Sequence, residues 1–135
     1  MKKLIVIFAV LMLALAGCSG QKTDIAQKPI IVQIKALDKE SDLVYEKRLN
    51  ALEGQTLLEM LRENNVPIET QDTPYGAFLN GIGGISPSAQ EYISIYVNGQ
   101  YAQEGIGTLK PKNNDLIEFG IEEISPDFNA TSTEQ

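Results

Sequence analysis

Histidine and tryptophan are absent from this 135-residue chain, and cysteine occurs once, at position 18. The missing histidine removes the commonest general base and the commonest metal ligand. It also rules out a protein imidazole as axial ligand to a metallocofactor. One cysteine permits no intrachain disulfide and no Cys-His pair. Positive charge is scarce as well: 11 basic residues stand against 18 acidic ones, for a net charge of −7. Such a surface disfavours nucleic acid and anionic lipid headgroups. No zinc-ligand spacing and no calcium loop of the D-x-D-x-DG kind occurs. Gly81-Ile82-Gly83-Gly84 is glycine-rich but lacks the lysine and hydroxyl residue of a phosphate-binding loop, so it reads as backbone geometry. The carboxylates are scattered, and Glu118, Glu122 and Glu123 read as a solvated strand edge. The expectation is therefore a non-enzymatic protein with no catalytic residue, no metal site, no resident cofactor and no nucleic-acid partner.

What is present begins with an export signal. Met1, Lys2 and Lys3 form a basic start, and Leu4 to Leu15 is an unbroken apolar run. At about twelve residues that run lies in the signal-peptide range and falls short of the ~20 needed to span a bilayer. Leu15-Ala16-Gly17-Cys18 follows and resembles the lipobox of bacterial lipoproteins. The resemblance implies diacylation of the Cys18 thiol and cleavage just before it. Two acyl chains, at about 0.8 kcal/mol per buried methylene, make a stable anchor. Loss of Lys2 and Lys3 on cleavage leaves the remaining chain more acidic still. The protein is thus expected at the cell membrane, held by lipid and facing outwards.

Four segments follow: a signal peptide over 1–17, a lipidated polar tether over 18–29, one domain over 30–124, and a polar tail over 125–135. Within the domain, Ile30, Val32, Ile34 and Ala36 alternate with polar neighbours, a period-two strand signal. A second strand is predicted over Leu43–Asn50. Thr56 with Glu59 makes a capping box, and Leu57, Leu58, Met60 and Leu61 supply the buried stripe of a short helix ending near Asn64-Asn65. Val66 to Ile85 reads as strand and loop. Glu91–Val97 is a strong strand, and Asn98-Gly99 is a type I′ hairpin turn. The last strand is predicted over Leu116–Glu122, with Ile117, Phe119 and Ile121 on one side. Strand, strand, helix and then several strands describe an α+β fold: a β-grasp-like mixed sheet with one short helix packed on one face.

The binding signal is aromatic. Alternation from Glu91 sets Tyr92, Ser94 and Tyr96 on one face and Ile93, Ile95 and Val97 on the core face. A two-residue turn pairs Tyr96 with Tyr101 and Val97 with Gln100. Tyr92, Tyr96 and Tyr101 then share a non-core face beside Ser94 and Gln103. Tyrosines combine flat apolar area with a hydroxyl, which suits soluble ring compounds or protein partners. The competing reading is that Tyr96 and Tyr101 only brace the hairpin as a cross-strand pair.

Several segments also match a known pattern. Gly54-Gln55-Thr56-Leu57-Leu58-Glu59-Met60-Leu61, Tyr75 to Gly84 (YGAFLNGIGG), Tyr92 to Gly99 (YISIYVNG) and Leu109 to Phe119 (LKPKNNDLIEF) occur in the order of the transcobalamin C-terminal-like domain, which they resemble. Two departures stand out: no tryptophan precedes Asn98-Gly99, and Asn113-Asn114 replaces the glycine before Asp115. The resemblance implies a ligand-binding β-grasp domain, with a corrinoid such as cobalamin as a ligand. With the aromatic signal it nominates Tyr75, Phe78, Tyr92, Tyr96 and Tyr101 as the ligand-binding set. The rival reading is a surface protein-interaction or envelope-scaffold module without a small-molecule ligand.

Overall fold

A computed structural model describes residues 27–125. The expected signal peptide, Cys18, most of the tether and the tail from Pro126 lie outside the described residues.

Alternation builds the centre of the sheet. Strand β1 (Pro29–Leu37) turns Ile30, Val32, Ile34 and Ala36 inward, and all four are buried. Strand β2 (Leu43–Leu52) pairs with it antiparallel from Pro29↔Leu52 onward. This strand runs two residues beyond the predicted Asn50, because Ala51 and Leu52 still find partners in Ile30 and Pro29. The register slips between Ala36 and Leu37, where the turn begins.

Helix α1 (Leu57–Glu63) starts with both halves of the capping box: Glu59 N–H donates to Thr56 Oγ1 at 3.3 Å, and Thr56 N–H donates to Glu59 Oε2 at 2.7 Å. Seven residues are too few for a helix to be stable alone, so tertiary contacts hold it. Leu57, Met60 and Leu61 are buried, and Leu58 packs at the core margin. Two further first-turn N–H groups find loop carbonyls: Leu57 N–H donates to Leu109 at 2.7 Å and Leu58 N–H to Ile106 at 2.8 Å. The loop over residues 105–109 is thereby fastened to the helix start.

The Val66–Ile85 region resolves into a hairpin of its own, β3 (Ile68–Thr73) and β4 (Gly76–Ile82), which forms a separate two-stranded sheet. Behind it the chain turns tightly between Ile82 and Ile85. Gly83 has φ +58°, and a Cβ there would lie 2.5 Å from Tyr45 Cβ. The glycines do serve backbone geometry and close approach.

The main sheet is completed by β5 (Glu91–Val97), β6 (Gln100–Tyr101) and β7 (Leu116–Glu123), in the order β2-β1-β7-β5-β6. β7 lies parallel to β1 and antiparallel to β5. Ile34, Leu49, Ile117 and Phe119 are fully buried between this sheet and α1. The fold is α+β: a mixed sheet with one short helix on one face. Among the described residues no helix is long and apolar enough to cross a membrane.

Candidate functional site

The site grows from the β5–β6 hairpin. Asn98 (φ 51°) and Gly99 (φ 80°) adopt the paired positive φ that a type I′ turn needs. The Asn98 amide also fastens the turn to β7: its Nδ2 donates to Asp115 Oδ1 at 2.8 Å, and its Oδ1 accepts from Leu116 N–H at 2.9 Å. Tyr96 faces Tyr101 across the hairpin, with ring centroids 5.6 Å apart and planes at 83°. This is an edge-to-face pair.

Pairing with β7 adds a residue that reading the strand alone set aside. Glu122 stands opposite Tyr92 and receives two phenols: Tyr92 Oη donates at 2.9 Å and Tyr96 Oη at 2.6 Å. The Tyr96 bond, with that of Tyr92, holds the Glu122 carboxyl below its usual range against the opposing effect of burial. Both phenols are pushed up, chiefly by donating to the carboxylate and secondly by burial. Glu122 is therefore a structural anchor of the tyrosine face rather than part of a solvated edge. Ser94 lies on the same face but is only 1% exposed, its hydroxyl donating to Gly120 C=O at 3.2 Å. It is a covered contact, not the open neighbour of the tyrosines that alternation implied.

The five nominated aromatics do not form one surface. Phe78, Tyr92 and Tyr101 line a cleft of about 240 Å³ at the edge of β5. Ala77, Phe78 and Leu79 of β4 form one wall, Tyr92, Ile93 and Ile95 the facing wall, and the segment from Tyr101 to Ile106 the third. Tyr96 instead borders a second cleft of about 230 Å³ on the outer sheet face, with Ser94, Glu118, Glu122 and the β1–β2 turn. Lys39 of that turn is ion-paired with Glu91. Lys39, followed by the Ser88 N–H, brings the Glu91 carboxyl down to about 2. Tyr75 lines neither cleft. It sits at the tip of the β3–β4 hairpin, fully exposed, where its N–H donates to Thr73 Oγ1 at 3.2 Å.

The cleft at the β5 edge also includes Ile93 and Ile95, which the sequence marked as core, Gln103, which it set beside the tyrosines, and Ile106, which it did not single out. Alternation identifies Ile93 and Ile95 as apolar but carries no sign that their strand runs along a sheet edge.

Residues 54–123 match the protein family described as Domain of unknown function (DUF4430). The chain belongs to this family. No curated protein matches it. Among solved structures, this DUF4430 chain is similar to haptocorrin in complex with Cbi, with a TM-score of 0.63 and 15% identity over 73% of this chain. It covers 26% of haptocorrin, so it spans about a quarter of that protein's length. It is also similar to a protein from Ruminococcus gnavus ATCC 29149 to which metal binding has been ascribed, with a TM-score of 0.59 and 14% identity over 71% of this chain and 99% of the other. At these identities the likeness is one of fold. Among the described residues of the DUF4430 chain, no group of three or more Asp, Glu, His or Cys side chains is placed to hold a metal ion.

Proposed function

We propose that this DUF4430 protein is a lipid-anchored, non-enzymatic binding protein that captures a soluble organic ligand in the cleft at the β5 edge. The observation that carries the reading is the meeting of Phe78, Tyr92 and Tyr101 from three separate strands around one cavity. Such a setting offers apolar area with a few polar groups, the usual make-up of a small-molecule site. The fold shared with haptocorrin, whose structure contains Cbi, supports a corrinoid as the first ligand to test. The anchor rests on the sequence around Cys18, which lipidation would convert into a tether at the outer side of the cell membrane. A surface protein partner is the second reading. Tyr75, fully exposed at a hairpin tip away from the cleft, favours it.

The test is a titration of the full chain in detergent with cobalamin and a panel of soluble ring compounds, followed by tyrosine fluorescence. The absence of tryptophan leaves that signal unmasked. Saturable quenching is expected, and it should be weakened at least tenfold in a Phe78→Ala, Tyr101→Ser double variant that keeps its fold. Equal binding by parent and variant would remove the cleft as the site.

A further inference from the structure

The β5 edge carries backbone groups that the fold leaves open. Asn98 N–H donates to Leu116 C=O, and Ile124 N–H donates to Gln90 C=O. The pairing between them is continuous from Val97↔Ile117 to Glu91↔Glu123. In an antiparallel ladder the hydrogen-bonding direction alternates, so Tyr92, Ser94 and Tyr96 direct their backbone groups to β7. Ile93, Ile95 and Val97 direct theirs away from it. On that side β6 is only two residues long and pairs with Tyr96 and Val97. Ala102 N–H takes the Ile95 carbonyl at 2.8 Å. Beyond that point the strand has no neighbour in the sheet order. Neither the sheet pairings nor the loop hydrogen bonds of the described residues give the N–H and C=O of Ile93 or the N–H of Ile95 a partner.

Ile93 is 7% exposed as a whole residue, its side chain turned to the core, and it lines the cleft. Backbone groups at an unpaired strand edge are met by water or by another chain. The groove beside Ile93 is the same cleft, with β4 as its far wall. Along the strand, the stretch from Tyr92 to Ile95 that borders the cleft covers about 10 Å. That is the length of three or four extended residues. The cleft's lining contains one charged group, Glu104, and no lysine or arginine.

We infer that this cleft is a strand-addition groove, taking a short extended peptide segment, neutral or basic, that pairs with Ile93 and Ile95 of β5. This specifies the ligand class for the cleft proposed above and rests on that assignment. The guest's main chain completes the open edge, as in other cases of peptide capture by strand addition. Its alternate side chains rest on Phe78 and Tyr101. An acidic side chain beside Glu104 is disfavoured by like charge, and the net −7 of the chain acts in the same sense. A second copy of the chain would have to bring a whole sheet edge between β4 and the segment 102–106. A lone strand does not.

Amide hydrogen exchange on the full chain in detergent tests the premise. In the free protein the Ile93 amide should exchange at least 100-fold faster than that of Ser94, which is bound into the β7 ladder. Equal protection would overturn the inference. A displayed library of random octapeptides then supplies the guest. Enrichment is expected on the parent, and it should be lost on Ile93→Pro, whose missing N–H faces away from β7. If that variant fails to fold, Gln103→Trp, an exposed position, obstructs the same groove. N-methylation of each residue of the best peptide should weaken binding at least tenfold at alternate positions, the period of a paired strand. No enrichment, or a flat methylation scan, would overturn the inference. So would a dimer of the chain that protects Ile93. Failure of every peptide, with an organic ligand still quenching at Phe78 and Tyr101, sinks strand addition and leaves the cleft assignment standing. Failure of both sinks both.

Discussion

Glu122 stands directly opposite Tyr92 across the β5–β7 ladder and accepts its phenol hydrogen at 2.9 Å, while Tyr96 reaches the other carboxylate oxygen. One carboxylate thereby orients two rings whose other surroundings differ. Tyr92 borders the edge cleft and Tyr96 the cleft on the outer sheet face.

The phenols report on that arrangement in alkali. Tyr92 and Tyr96 should titrate above the ordinary value of 10.0, because ionisation would place a second negative charge against Glu122. The sign follows: a raised folded-state pKa contributes stability that is present below pH 10 and lost as the pH rises through the raised value. In Glu122→Gln the two phenols should titrate closer to 10 by ultraviolet absorbance. An unchanged curve would mean that the carboxylate does not hold them.

In acid the Glu91–Lys39 pair is the sensitive element. Glu91 is lowered from 4.5 to about 2, so its contribution is present above about 4.5 and disappears as the pH falls towards 2. Denaturant midpoints should decline across that window, and Glu91→Gln should flatten the decline. A parent curve level from pH 5 to pH 2 would contradict the pairing.

Gly99 and Gly83 separate backbone strain from crowding. A Cβ at Gly99 meets nothing within 4 Å, so Gly99→Val tests φ alone and should cost about 1 kcal/mol or more. At Gly83 a methyl would strike the Tyr45 side chain as well as strain the backbone. Gly83→Ala is therefore expected to lower the thermal midpoint further than Gly99→Ala. The reverse order would mean that Tyr45 does not pack on this turn.

Cys18→Ala should abolish lipidation, since no other thiol exists in the chain. Metabolic labelling with a tagged fatty acid reads this directly. Label persisting on the alanine variant would refute the anchor.

Local chemistry made much of the fold legible. The inward residues of β1, the Thr56–Glu59 box and the Asn98-Gly99 turn each depend on a few adjacent residues, and each is found as predicted. The Tyr96–Tyr101 pair follows from the turn, because a two-residue loop sets the register of its own strands.

Relations between distant segments were decided by tertiary structure. The parallel pairing of β1 with β7 joins residues more than eighty positions apart, and nothing in either strand names the other. Glu122 looked like a solvated edge because its role requires the β5–β7 register. Tyr75 and Phe78, close in sequence, part company because one lies at a hairpin tip and the other on the strand beside the cleft. The open amides of Ile93 and Ile95 exist only because β6 stops after two residues. Alternation reports which face a side chain takes and is silent on whether a backbone edge has a neighbour. The sequence by itself determined β1, β2, the helix, the hairpin turn and the core face, because each depends on adjacent residues; the β3–β4 hairpin and its meeting with β5 at the cleft were decided by tertiary structure.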